Sequence, residues 1–199
     1  MKRVSFILTA LCVLFITSCN SSNMTNPLLE KSTHPYNAPA FDKIKTEHYL
    51  PAFKEAIAEG KQEIEAIVNN QQEPTFENTI LALNYAGEKL NTVSALFFNI
   101  NEANTNEQMQ KTAEEISPLL TEYSMSITLN DKLFERIKAV YQQKESLNLG
   151  QEEARLLEQT YKQFANNGAN LSPEDKEKFA KIQEELSLLS LKFGNNTLA

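Results

Sequence analysis

The sequence predicts an all-α protein, a bundle of about six helices. Three observations carry this reading. From about residue 46 onward, apolar residues recur at steps of three, four and seven, the spacing of one helix face. Only 5 Gly and 7 Pro punctuate the 199 residues, too few for a turn-rich β fold. No segment alternates apolar and polar residues as a half-buried strand does.

Each element has its own signals. In the first helix Leu50, Phe53, Ile57, Ile64 and Ile67 form the inward face. Pro51 is tolerable there if it lies near the first turn, and Asn69-Asn70 ends the helix. Thr75 caps a second helix with the stripe Ile80, Leu83, Leu90, Val93 and Phe97. Thr105 with Gln108 is a capping-box signal for a third, which carries Met109, Ile116, Leu120, Tyr123 and Ile127. Pro118 should kink or break it, with Ser117 as a new cap. Asn130 or Asp131 starts a fourth helix and Gly150 precedes a fifth, which stops at Asn167-Gly168. Ser172-Pro173-Glu174-Asp175 opens the sixth: a cap, a first-turn Pro, then acids at the positive helix end. Its stripe is Phe179, Ile182, Leu186, Leu189 and Phe193.

The amino terminus reads differently. Lys2 and Arg3 precede a mostly apolar run over residues 4–16, too short to span a bilayer, which takes about 20 residues. Ile16-Thr17-Ser18-Cys19 resembles a bacterial lipobox. Residues 1–18 are therefore expected to be a lipoprotein signal peptide. Cys19 is the expected lipid attachment site, on a secreted, membrane-anchored protein facing the periplasm or cell exterior. Residues 19–45 read as a tether and irregular lead-in, with Pro27, Pro35 and Pro39, and residues 46–199 as the helical region. Cys12 would leave with the signal, so no thiol remains for a disulfide or a Cys-based metal site.

Charge and chemistry exclude several functions. With Lys2 and Arg3 set aside, 17 basic face 26 acidic residues, a net −9, and no basic tract survives to bind nucleic acid. The two histidines, His34 and His48, do not form the H-E-x-x-H pair of a zinc helix. No G-x-S-x-G elbow and no glycine-rich phosphate loop occur. Glu114-Glu115, Glu152-Glu153 and Glu184-Glu185 have the character of solvated helix faces, and the aromatics follow core spacing. No catalytic residue and no metal ligand is assigned within this chain.

Five segments, in order, resemble the amino-terminal half of a known peptidase family. They are Asn26-Pro27-Leu28-Leu29 with Ala40-Phe41-Asp42-Lys43-Ile44; Glu47-His48-Tyr49-Leu50-Pro51-Ala52-Phe53; and Pro74-Thr75-Phe76-Glu77-Asn78-Thr79-Ile80-Leu81-Ala82-Leu83. Arg155-Leu156-Leu157-Glu158 with Gly168-Ala169-Asn170-Leu171, and Glu184-Glu185-Leu186-Ser187 with Phe193 and Asn195-Asn196, complete the set. The family resembled is that of the thimet-oligopeptidase-like zinc metallopeptidases, particularly its bacterial peptidyl-dipeptidase branch. The resemblance implies a clam-shaped helical enzyme with one zinc ion on the floor of a deep channel. It implies short peptide substrates, of which the peptidyl-dipeptidase branch removes C-terminal dipeptides. The amino-terminal helices would form a channel wall and filter substrate size. The zinc ligands, two His of H-E-x-x-H and a downstream Glu, match no position here. The chain is thus expected to be an amino-terminal fragment, truncated before the catalytic residues and inactive alone, with exposed apolar surface where the missing helices pack. The alternative is a non-catalytic helical lipoprotein that binds peptides or a protein partner.

Overall fold

The computed structural model describes residues 26–198. The expected signal peptide and Cys19 lie outside the described residues. The described residues are all-α, with no strand among them.

The lead-in is tied down at its start. The Asn26 side-chain amide donates to the His48 carbonyl at 2.7 Å, while Asn26 Oδ1 accepts from the Leu28 N–H at 3.1 Å. That places Leu28 in the core. After a short 3-10 turn at Pro35–Asn37 the chain enters α1, Thr46–Val68. His48 Nδ1 accepts from the Lys45 N–H at 3.1 Å and so satisfies an orphan donor at the helix start. Pro51 lies in the second turn rather than the first and forgoes a helical bond to the Glu47 carbonyl. Asn69 ends α1, as its sequence position suggests.

The second predicted helix is divided. Thr75 Oγ1 accepts from the Asn78 N–H at 3.1 Å and Asn78 Oδ1 from the Thr75 N–H at 2.9 Å, a reciprocal cap. It opens a π-type turn, Phe76–Leu81, that runs into the short α2, Ala82–Tyr85. Gly87 then takes φ 80°, a conformation that favours glycine, and its N–H donates to Glu63 Oε2 of α1 at 2.7 Å. The chain restarts as α3, Glu88–Ala103.

Two further expectations are corrected in α4, Glu107–Thr128. Its cap is Asn106, whose Oδ1 accepts from the Met109 N–H at 3.0 Å; Thr105 instead donates to Asn101 Oδ1. Pro118 does not break the helix, and Ser117 is no cap but shares a 2.7 Å hydrogen bond with Ser187. Packing on α1 along one side and α7 along another holds α4 continuous. Next come α5, Asp131–Gln142, capped by Asn130, and α6, Gln151–Asn166, which starts at Gly150. Gly168, at φ 98°, closes α6 as the Ala169 N–H returns to the Phe164 carbonyl at 3.1 Å. Ser172 Oγ accepts from the Asp175 N–H at 3.2 Å and opens α7, Pro173–Leu198.

The helices enclose two cores. The first lies between the amino-terminal half of α1, α3 and α4, where Phe97 meets Tyr49, Phe53 and Phe98 edge to face at centroid distances of 4.9, 5.7 and 5.1 Å. The second gathers Ile64 and Ile67 of α1, Phe76 and Ile80 of the π turn, and the inner faces of α5 and α6. Ile127 of α4 packs against both. Each fully buried Phe or Ile in these cores contributes about 1.5–3 kcal/mol. The last helix, α7, lies along α4.

Candidate functional site

The residues singled out in the sequence do not converge. His34 is exposed beside the 3-10 turn, and its N–H donates to Ser32 Oγ at 3.1 Å. His48 is half-buried and spends Nδ1 on the start of α1. The three glutamate pairs are exposed on helix faces. The aromatics of α5 and α6 pack as core, where Phe134 stacks on Tyr161 and Phe164, and Tyr141 on Tyr161 at 4.0 Å, whereas Tyr36, Phe41, Tyr85 and Phe193 are exposed. Among the described residues no group of three or more His, Cys, Asp or Glu side chains is placed to hold a metal ion. The residues present therefore do not fit a zinc site.

An apolar groove of about 650 Å³ lies between α4 and α7. Pro118, Leu119, Met125 and Leu129 form its α4 wall and Ala180 faces them from α7. Its hydroxyls are committed to the backbone: Thr121 Oγ1 donates to the Ser117 carbonyl at 3.0 Å and Ser126 Oγ to the Tyr123 carbonyl at 2.7 Å. Neither hydroxyl is hydrogen-bonded to a side-chain base, the arrangement that would activate it as a nucleophile. Its rim carries ion pairs. Lys181 pairs with Glu177 at 2.7 Å, which holds the Glu177 carboxyl below the usual carboxylate range and the Lys181 amine above its own. Glu122 at the rim pairs with Lys61 of α1 at 3.0 Å. At one end the buried Lys176 amine donates to the Leu129 carbonyl at 3.3 Å and to Asp131, joining α7 to the start of α5. Such a groove can hold apolar groups.

A second feature went unnoticed in the sequence. Arg136 of α5 is buried, with Nη1 donating to the Asn70 and Gln72 carbonyls at 2.9 and 3.2 Å and Nη2 to Asn78 Oδ1 at 3.1 Å. Its buried Nε has no hydrogen-bond partner among the described residues. The guanidinium thereby locks the α1–π-turn loop against α5. The signal in the sequence was Asn78, in the third of the family-like segments, which here serves both as cap and as acceptor.

Comparison with known proteins says what this helical region is similar to. No family model matches the chain. It is 43% identical over 175 residues to the dipeptidyl carboxypeptidase of Salmonella typhimurium, covering 88% of this chain and 26% of that protein. It is likewise 43% identical over 174 residues to the dipeptidyl carboxypeptidase of Escherichia coli, and 28% identical over 176 residues to oligopeptidase A of Haemophilus influenzae. These relatives, dipeptidyl carboxypeptidase and oligopeptidase A, are peptidases of the thimet-oligopeptidase family. The chain spans about a quarter of the length of the curated relatives it matches.

The same relatives correct one expectation. Dipeptidyl carboxypeptidase and oligopeptidase A are cytoplasmic enzymes, not secreted lipoproteins, and this overturns the expected location outside the cytoplasm. A short apolar run behind two basic residues has the composition of an export signal, but composition alone does not fix a compartment. Among the described residues no helix is long and apolar enough to cross a membrane.

Proposed function

We propose that the chain supplies a helical wall of the substrate channel in a zinc-dependent peptidase that hydrolyses short peptides, and that it supplies no catalytic residue. The observation that carries this reading is the 43% identity to two dipeptidyl carboxypeptidases, sustained over 88% and 87% of the chain while spanning 26% of each. The zinc would be held by polypeptide outside this chain, since the side chains here do not fit it. The part played by these helices is shape. Two apolar cores and a continuous α4 make a stiff wall, which admits extended peptides beside it and excludes folded proteins.

The test is an exchange of parts. The matching quarter of the E. coli dipeptidyl carboxypeptidase is replaced by this chain, and release of C-terminal dipeptides from short peptides is measured. The expected result is hydrolysis that a chelator abolishes and zinc restores. A folded hybrid without peptidase activity would contradict the reading. Peptide binding by the chain alone, with no hydrolysis in the hybrid, would favour the non-catalytic alternative.

A further inference from the structure

We infer that the outer face of α7 is a docking seam for an amphipathic helix, supplied by the polypeptide that the dipeptidyl carboxypeptidases carry beyond the shared quarter. This rests on the reading of the chain as part of a larger peptidase. Ile182, Leu186, Leu189 and Phe193 are 60%, 53%, 56% and 73% exposed. Their spacing of four, three and four places them on one side of the helix, in a strip about 16 Å long at the α-helical rise. The opposite side of α7 is already occupied. Ser187 is bonded to Ser117 of α4, Leu191 packs against the first core, and Lys176 is anchored to Leu129 and Asp131.

An α7 that ended its packing at α4 should turn polar residues outward; instead four exposed apolar residues line its outer side, with Leu186 also at the edge of the cleft against α4, the pattern of a helix with a second neighbour. Single exposed apolar residues are common on surfaces, but a contiguous stripe at helix-pairing register marks an interface. Polar and charged residues flank it, with Lys181, Glu185 and Lys192 along one edge, as flanking positions do beside a helix–helix seam.

A second copy of the chain fits the stripe less well. A stable dimer buries about 800 Å² on each partner, which four half-exposed side chains do not supply. A segment of the same polypeptide needs no such area, because tethering removes most of the translational cost of association. In the relatives that polypeptide exists: about three quarters of their length lies outside the region shared with this chain.

The experiment is co-expression of the full 199-residue chain with a tagged polypeptide comprising the remaining three quarters of the E. coli dipeptidyl carboxypeptidase. The chain is expected to co-purify with it. The double variant Leu186→Glu, Leu189→Glu is expected to lower recovery by more than about tenfold, because the complex would bury two unpaired carboxylates. The same variant should leave the helicity and melting of the isolated chain unchanged, since both positions are exposed there. The control Glu185→Gln should leave recovery unchanged. Absence of co-purification, or recovery insensitive to the double variant, overturns the proposal. So does a concentration-dependent dimer of the isolated chain that the double variant dissolves, since that would make a second copy the occupant. Peptide hydrolysis by the purified complex is read separately. A complex that forms through α7 yet is inactive contradicts the functional reading alone, and an active complex insensitive to the double variant contradicts the docking seam alone.

Discussion

Asn78 Oδ1 accepts a hydrogen bond from Arg136 Nη2 at 3.1 Å across 58 residues of chain, and the same oxygen also accepts the Thr75 N–H that caps the π turn. One amide oxygen thus fastens a local cap to a distant helix. Replacing Arg136 with Met removes the donors to the Asn70 and Gln72 carbonyls and one of the three hydrogen bonds that the Asn78 oxygen accepts, the others coming from Thr75 and Thr79. The expected loss is about 2–4 kcal/mol in urea denaturation. Arg136→Lys keeps the charge but not the planar fork, so its loss is intermediate. A loss below about 0.5 kcal/mol, the scale of an ordinary surface change, would contradict the clamp.

The Tyr123 hydroxyl of α4 closes over Gly60 of α1, so that a Cβ at Gly60 would collide with it. Gly60→Ala is expected to destabilise the chain by about 1–3 kcal/mol despite the better helix propensity of Ala. Tyr123→Phe removes the colliding oxygen, and in that background Gly60→Ala should cost clearly less. A double-mutant cycle measures the difference. Purely additive losses would show that the hydroxyl is not what Gly60 makes room for.

Stability should fall at alkaline pH through two phenols. Burial holds the Tyr49 hydroxyl above its ordinary value of 10.0, and burial together with the negative charge of Glu63 does the same for Tyr123. Each proton is held more tightly in the folded state than in the unfolded one. Their stabilising contribution is therefore complete below the unfolded value and is lost as pH rises through the folded value. Denaturation curves from about pH 8 to about pH 11 should show a decline that begins near pH 10. Tyr49→Phe and Tyr123→Phe should each make that decline shallower. Parallel curves for variant and parent would contradict the assignment.

Much of this was legible in the sequence wherever the cause was local. Asn69, Asn130, Gly150, Gly168 and the Ser172-Pro173 start act within a few residues of themselves, and each sits where the helix boundaries fall. The misses have distant causes. The break at Gly87 is pinned by Glu63, 24 residues earlier, while the apolar spacing runs straight through it. The continuity of α4 through Pro118 depends on neighbours that only the tertiary fold supplies. Periodicity found the apolar stripe of α7 but could not show that its opposite side, with Ser187 and Leu191, is the one that packs on α4. For the site, the family-like segments pointed to a peptidase before any geometry did. Arg136 escaped notice because a lone arginine among helix residues carries no motif.

Lys176 should govern how firmly α7 is held. Its side chain is 10% exposed while that of Asp131 is 73% exposed, so the carbonyl of Leu129 and the burial itself outweigh the ion pair. Lys176→Ala is expected to cost about 1–2 kcal/mol, and Asp131→Asn less than half of that. Hydrogen exchange should localise the effect, with faster exchange in the amides of α7 than in those of α5 and α6. Uniformly faster exchange across the chain would contradict a local anchor.

The central claim is that these helices are a working but non-catalytic part of a peptidase. Its most direct test is peptidase activity with and without the chain. The remaining three quarters of the S. typhimurium dipeptidyl carboxypeptidase is expressed alone and together with this chain, and release of C-terminal dipeptides is followed for both. The account predicts no hydrolysis by either polypeptide alone and zinc-dependent hydrolysis by the pair. Hydrolysis by the larger piece alone at the rate of the pair, or by this chain alone, would contradict it.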